Sequence, residues 1–287
     1  FGINEYADCI ASAIEVSGFI VDFTSEKSHL GKSIVKLLDV PKNALVVSAL
    51  LGRPVMGQRL LSDAGLRHID FFSFYRYSEF QFEPIRFWSN FDAEFEANRG
   101  QYEWVYDHLA DEASKALYKS ILNFRLTSKL GYISDFKENQ VNQYFEPFLG
   151  LQKEGEVFVD VGGFDGDTTE EFIKRCPGYA AAYIFEPLID NMKIAEDRLS
   201  PYVNIHFSQK GLSNDKGVVR FSAGGSVSTI CDEGEIEIAV DALDHLVSDR
   251  VTFLKMDIEG AESMAIEGAK KTIAKYHPRL AICVYHK

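Results

Sequence analysis

The chain has 287 residues, 46% hydrophobic, 25% charged and 13% aromatic, a globular make-up that excludes collagen-like, low-complexity and wholly disordered classes. That length accommodates one large domain or two modest ones, each with its own core. A formal net charge of −13 repels a phosphate backbone, which argues against nucleic-acid partners while admitting a small cationic ligand.

The N-terminal stretch FGINEYADCIASAIEVSGFIVDF has no basic residue before Lys27 and is not a signal peptide. It does not begin with Met, so the natural chain is expected to extend before Phe1. Residues 1–102 read as a small, partial Rossmann-like α/β region. A buried strand is expected over 44–50 (ALVVSAL), a turn at 52–57 (GRPVMG), a helix over 58–64 stopped by Gly65, and a second strand over 68–74 (HIDFFSF). This is one βαβ unit. Its turn lacks GxGxxG, so scaffold is favoured over a dinucleotide site. Thirteen aromatic residues crowd between Phe71 and Trp104. Such rings form either a core layer between domains, the favoured reading, or a stacking wall for a sugar or other flat-faced substrate.

Residues 103–154 read as a helical connector. Leu109, Ala113, Leu117, Ile121 and Phe124 recur at helical steps, and Asp111 and Lys115 are spaced for an i,i+4 ion pair. A second helix is expected from Asp135, with Glu138 completing a capping box, a stripe of Val141, Tyr144, Phe145 and Phe148, and an end at Gly150.

From residue 155 the pattern becomes specific. The strand EVFVDV (156–161) ends in Asp160 and runs into Gly162, Gly163, Asp165 and Gly166, after which a helix is expected over 170–175. Glycines after a strand allow positive φ and close backbone approach, and the helix start supplies free N–H donors. The spacing is Asp-x-Gly-x-x-x-Gly, which argues against NAD and toward another nucleotide-like cofactor. Twenty residues after Gly166, the strand YIF ends in Glu186, an acid placed to hold a ribose diol. A third strand is expected over 203–207, a turn at 213–217 (SNDKG), then a strand over 251–256 delivering Asp257, Glu259 and Glu262. A helix over 263–275 and a last strand over 280–284, ending at Tyr285 and His286, complete the series. Apolar strands alternating with helices mean a parallel sheet covered on both faces, with ligands beyond the strand carboxyl ends, where Asp160, Glu186, Asp257, Glu259 and His286 converge.

The segments VFVDVGGFDGDTT, IFEP, SNDKG, LKMDIEGAE and AICVYH resemble the FkbM family of S-adenosylmethionine-dependent methyltransferases, over residues 156–287. The helical stretch at 113–126 also resembles what often precedes this domain, whereas Gly163 and Phe164 stand where the family often has Ala-Asn. The resemblance implies a class I methyltransferase fold, with a Rossmann-like parallel sheet in 155–287. It also implies methyl transfer from S-adenosylmethionine to a hydroxyl of a sugar, glycolipid or natural product. Asp160, Gly162, Gly163, Asp165, Gly166, Glu186 and Ser213 would bind the cofactor, and Asp257, Glu259 and Glu262 would face the acceptor. Such a domain continues with a helix and an antiparallel hairpin, so the sheet is expected to be truncated after its fifth strand and the natural chain to run beyond Lys287.

His286 is the candidate general base, against a purely structural hydrogen-bonding role; Asp257 is the other catalytic candidate, in a rival role. Asp257 with Glu259 could instead hold a divalent cation, although two acids so spaced are also an ordinary loop. Three classes stay open: an O-methyltransferase, an enzyme handling NAD or a nucleotide sugar, and a cofactor-binding module without turnover. Cys9, Cys176, Cys231 and Cys283 lie far apart without CxxC or Cys–His pairing, as in an intracellular, cytoplasmic protein with reduced thiols. No apolar run is long enough to span a membrane. The expected partner is a small-molecule or glycan acceptor, and a homo-oligomer is compatible with the sequence.

Overall fold

The computed structural model describes residues 1–85, 88–136, 139, 142–222, 229–230 and 236–284. The chain divides into two compact units, Phe1–Glu138 and Asn139–Lys287. Among the described residues no helix is long and apolar enough to cross a membrane.

The first unit opens with α1 (Glu5–Ala13), followed by a small sheet in which β1 (Gly18–Ile20) runs parallel to β3 (Lys32–Val35) and β2 (Ser28–His29) antiparallel to it. The expected βαβ unit is present: β4 (Leu45–Ser48), α2 (Pro54–Asp63) and β5 (Arg67–Asp70), with both strands parallel and Leu61 fully buried beneath them. Three expectations need correction. The helix α2 begins at Pro54 rather than 58, because proline's missing N–H costs nothing at a first helical position. The second strand stops at Asp70, and α3 (Phe71–Tyr77) follows. Here the Asp70 carboxylate accepts from the Ser73 amide at 2.9 Å, which caps a helix where alternating aromatics suggested a strand. The helices α4 (Phe91–Ala97) and α5 (Arg99–His108) were not anticipated. In α6 (Glu112–Thr127), Asp111 caps the helix by accepting from the Ser114 amide at 2.8 Å, and Lys115 pairs with Glu112 at 3.2 Å instead.

The buried members of the aromatic belt pack within this unit, whereas Tyr77, Phe80 and Trp104 are exposed. Phe71 and Phe72 are buried, and the Phe72 ring meets those of Trp88 and Phe124 at centroid distances of 4.4 and 5.1 Å. Phe87 lies outside the described residues.

In the second unit the expected helix after Asp135 does not form among the described residues 142–150. They carry turns and short 3₁₀ geometry, including Pro147–Leu149, which is closed by Gly150 at φ 58°. Pro147 would clash with the preceding turn and lacks a donor, which ends any helix there. Glu138 and Val141 lie outside the described residues.

The five parallel strands β6 (Val157–Val161), β7 (Ala181–Phe185), β8 (Ile205–Ser208), β13 (Phe253–Met256) and β14 (Arg279–Ile282) are ordered β14-β13-β6-β7-β8. Side chains alternate between two cores. Phe158, Ile184 and Phe253 pack with Phe172 of α7 (Asp167–Arg175) and Leu199 of α8 (Ile189–Leu199). Val159, Val161, Leu254 and Met256 pack on the opposite face with Leu243 of α9 (Leu243–Leu246) and Ala265 of α10 (Glu262–Gly268). A second sheet was not anticipated: β10 (Gly217–Ser222) lies between β11 (Thr229–Ile230) and β12 (Ile236–Asp241), and β9 (Gly211–Leu212) flanks β12.

The helix expected over 263–275 is two, α10 and α11 (Lys270–Tyr276). Asp244 accepts from the amides of Lys271 and Thr272 at 2.9 and 2.8 Å, which satisfies a fresh helix start. Gly268, at the end of α10, sits so close to the β9 turn that a Cβ would overlap the Ser213 carbonyl oxygen. Gly268→Ala is expected to lower stability by about 1–3 kcal/mol through overpacking, read as a lower urea midpoint. An unchanged midpoint would show that the two elements can separate freely.

Candidate functional site

The sheet order reverses at β6. Its crossover leads to β7 and β8 on one side, whereas β13 and β14 lie on the other, and a crevice opens beyond the carboxyl ends at such a switch point. The loop after β6 is pressed into this place. Gly162 has φ 77°, and a Cβ there would overlap the carbonyl oxygen of Asp257 beyond β13. A Cβ on Gly163 would overlap the Ile184 side chain of β7. These glycines therefore serve the close approach of neighbouring strand tips.

A cavity of about 690 Å³ occupies the crevice, within the second unit. Gly162, Glu186, Asp257 and Glu259 line it, together with Tyr144 and Lys255. Glu186 is 5% exposed. Its carboxylate accepts from the amides of Phe164 (3.0 Å) and Leu188 (2.9 Å) and from Asn191 Nδ2 (3.3 Å). Burial pushes this carboxyl above its ordinary value, and those donors and the Lys255 charge offset the rise only in part. Asp257 Oδ2 accepts from the Tyr144 hydroxyl at 2.6 Å. Glu259 adopts a left-handed backbone at φ 56°.

Beneath the loop lies a buried ion pair. Lys255, from the middle of β13, places Nζ 3.0 Å from Asp160 Oδ1 on β6, with side-chain exposures of 3% and 0%. Nζ also donates to the Gly162 carbonyl at 2.7 Å, and Thr169 Oγ1 donates to Asp160 Oδ2 at 2.8 Å.

The other residues singled out from the sequence lie elsewhere. Asp165 pairs with Arg198 at 2.6 Å, and Gly166 packs against Ala195 of α8. Glu262 Oε1 accepts from the Ile258 amide at 3.0 Å, closing the loop that carries Asp257 and Glu259. Ser213 is buried in the turn after β9, with its amide donating to Asp241 at 2.9 Å. His286 and Cys231 lie outside the described residues. Among the described residues no three His, Cys, Asp or Glu side chains gather to hold a metal ion.

Sequence reasoning missed Lys255 and Tyr144. A lysine inside the apolar run VTFLKM was the available signal for the first. For the second there was none, because the expected helix disguised it. Removing either member of the Asp160–Lys255 pair strands the other charge, so Asp160→Ala and Lys255→Met are each expected to cost about 3–5 kcal/mol. The double variant should lose less than the sum, measured by urea unfolding of all four chains. Strict additivity would show that the two charges are not coupled.

Residues 160–287 match the family described as Methyltransferase FkbM domain. Among solved structures, the chain is similar to Methyltransferase FkbM from Methylobacillus flagellatus KT, at 22% identity and TM-score 0.76. The match covers 98% of this chain and 77% of that one. An rRNA methylase from Streptococcus thermophilus matches at 14% identity and TM-score 0.34, covering 51% of this chain and 71% of that one. No curated protein matches the chain. The M. flagellatus likeness shows the fold, an α/β architecture with a Rossmann-like parallel sheet. With its strand-tip loops, the C-terminal part of this chain, residues 160–287, is similar to the FkbM methyltransferase family.

Proposed function

We propose that this protein is an S-adenosylmethionine-dependent methyltransferase acting on a hydroxyl oxygen of a small-molecule or glycan acceptor. The observation that carries the reading is that Glu186 and Gly162, from the tips of adjacent strands, line one cavity. Its volume lies in the range of roughly 300–1,000 Å³ usual for small-molecule sites. The residues suit a nucleoside: a carboxylate offers about four lone-pair positions. The Phe164 and Leu188 amides take one on each Glu186 oxygen, and the ribose hydroxyls would take the second on each, replacing the long bond from Asn191.

The bound cofactor would supply an electrophilic methyl group on a sulfonium. In this reading Glu186 and the Gly162 loop hold the nucleoside, and Asp257 and Glu259 border the acceptor. The acceptor oxygen would receive the methyl as the sulfonium's S–C bond breaks to leave a neutral thioether, and would give up its proton to His286, the candidate base, or to Asp257. A positioned base contributes about 10²–10⁴-fold, and alignment contributes several further kcal/mol.

Titration calorimetry with S-adenosylhomocysteine, NAD and a nucleotide sugar tests the reading. Binding of the first alone is expected, and binding of NAD alone would overturn it. Glu186→Ala should weaken S-adenosylhomocysteine at least about tenfold, because each hydrogen bond to a charged group contributes roughly 1.5–3 kcal/mol. The raised Glu186 pKa sets the sign with pH: the carboxylate form is lost as pH falls through a value above the usual 4.5. Affinity should therefore weaken at mildly acid pH in the natural chain and stay level there in Glu186→Ala. The divalent-cation alternative is retired if turnover is insensitive to EDTA.

A further inference from the structure

We propose that Tyr144 is a positioning residue of the methyl-transfer site, its hydroxyl holding the Asp257 carboxylate in the orientation that meets an acceptor hydroxyl. The inference rests on the reading of Asp257 given above. It adds a residue that lies before the stretch 160–287 matching the methyltransferase family.

The direction of the hydrogen bond is settled by the donors around it. The Tyr144 oxygen accepts from Gln143 Nε2 at 3.0 Å, so its single proton goes to Asp257 Oδ2 at 2.6 Å. Burial, followed by the neighbouring Asp257 carboxylate and Cys283 thiol, drives ionisation of the phenol far above its ordinary range. The hydroxyl therefore acts as a donor throughout the working range of pH. Short bonds to a carboxylate are the stronger class, and they fix its plane as well as its place.

The same bond is surplus to anchoring the segment. Phe145 is buried against Phe253, with ring centroids 6.0 Å apart. Arg175 of α7 donates to the Phe145 carbonyl at 3.3 Å and to Asn142 Oδ1 at 2.8 Å. These contacts hold residues 142–145 without the Tyr144 hydroxyl, which instead reaches into the cavity. Among the described residues, the charged and titratable groups around it are Lys255, whose Nζ lies 5.1 Å from the Tyr144 ring centre, Cys283 Sγ at 3.8 Å, and the cavity acids Glu186 and Glu259. Lys255 Nζ is bound to Asp160 and the Gly162 carbonyl, and the short bond to Asp257 Oδ2 comes from the phenol.

The test uses the full chain with its aspartate carboxyl carbons labelled with ¹³C, titrated by NMR. The Asp257 signal is assigned by its loss in Asp257→Asn. In Tyr144→Phe the ring and its packing are kept and one donor to the charged form is removed. The Asp257 midpoint is then expected to rise by about one pH unit, with S-adenosylhomocysteine affinity kept within about twofold. An Asp257 midpoint unmoved by Tyr144→Phe overturns the proposal. So does loss of S-adenosylhomocysteine binding in that variant, which would make Tyr144 a binding or folding residue. Failure of the unsubstituted chain to bind S-adenosylhomocysteine instead defeats the cofactor reading, and the titration distinguishes the two failures because it needs neither cofactor nor acceptor.

Discussion

Asp160 and Lys255 face each other as register partners on two adjacent parallel strands, both within the protein's interior. A one-residue slip between β6 and β13 would turn one of the two charges to the opposite face and leave its partner buried and unpaired. Burying two ions is not a source of stability in itself, since their desolvation offsets most of the attraction. What the pair adds is a penalty on any register in which the two charges do not meet. Its third tie, from Lys255 Nζ to the Gly162 carbonyl, extends the paired register into the loop where the cavity begins.

The other end of the same strands is held by a similar device. Glu156, before β6, is buried and accepts from the Gln152 amide at 2.7 Å, from Arg279 Nη1 at 3.3 Å and from the Thr252 hydroxyl. Arg279 opens β14 and Thr252 precedes β13, so one carboxylate gathers the amino ends of three neighbouring strands. Between the two charged ties, alternate side chains fill separate cores on the two faces of the sheet. The tips of β6, β7 and β13 are thereby placed by the sheet, and the cavity needs little reorganisation to present its carboxylates together. Preorganisation of this kind is what makes fixed polar groups effective in a site.

Much of this was legible in the sequence. Apolar runs such as EVFVDV and VTFLKM stand out because a parallel strand covered on both faces must be apolar throughout, and the acids that end them mark the sheet's ligand-bearing edge. What a strand-end acid does is less legible. Glu186 and Asp257 line the cavity, whereas the Asp160 carboxylate points to a lysine that no local pattern links to it, 95 residues away. Tyr144 was hidden by a stripe of aromatic spacing that mimicked a helix until Pro147 ended it. The second sheet was missed because β9 has only two residues and one face of β12 is exposed, so neither carries a continuous apolar signature. Asp70 and Asp111 show the same limit: a short side chain that captures a nearby amide can outweigh the aromatic alternation or charge spacing around it.

The glycines separate the parts of the site that can be altered independently from those that cannot. Gly162 lies where the β6 loop touches the Asp257 carbonyl, so any side chain there pushes apart the two strands whose register the buried pair maintains. A change at that position disturbs fold and site together, and its effect on binding cannot be read apart from its effect on stability. Glu186 and Tyr144 differ in kind. The backbone of Glu186 belongs to the strand-tip frame and its carboxylate lines the cavity. The ring of Tyr144 is held by the packed segment 142–145, while its hydroxyl acts on a group outside that packing. The polar atoms of Glu186 and Tyr144 thus sit at the ends of side chains whose frames are fixed by something else. Those atoms can be removed one at a time with the sheet left in place.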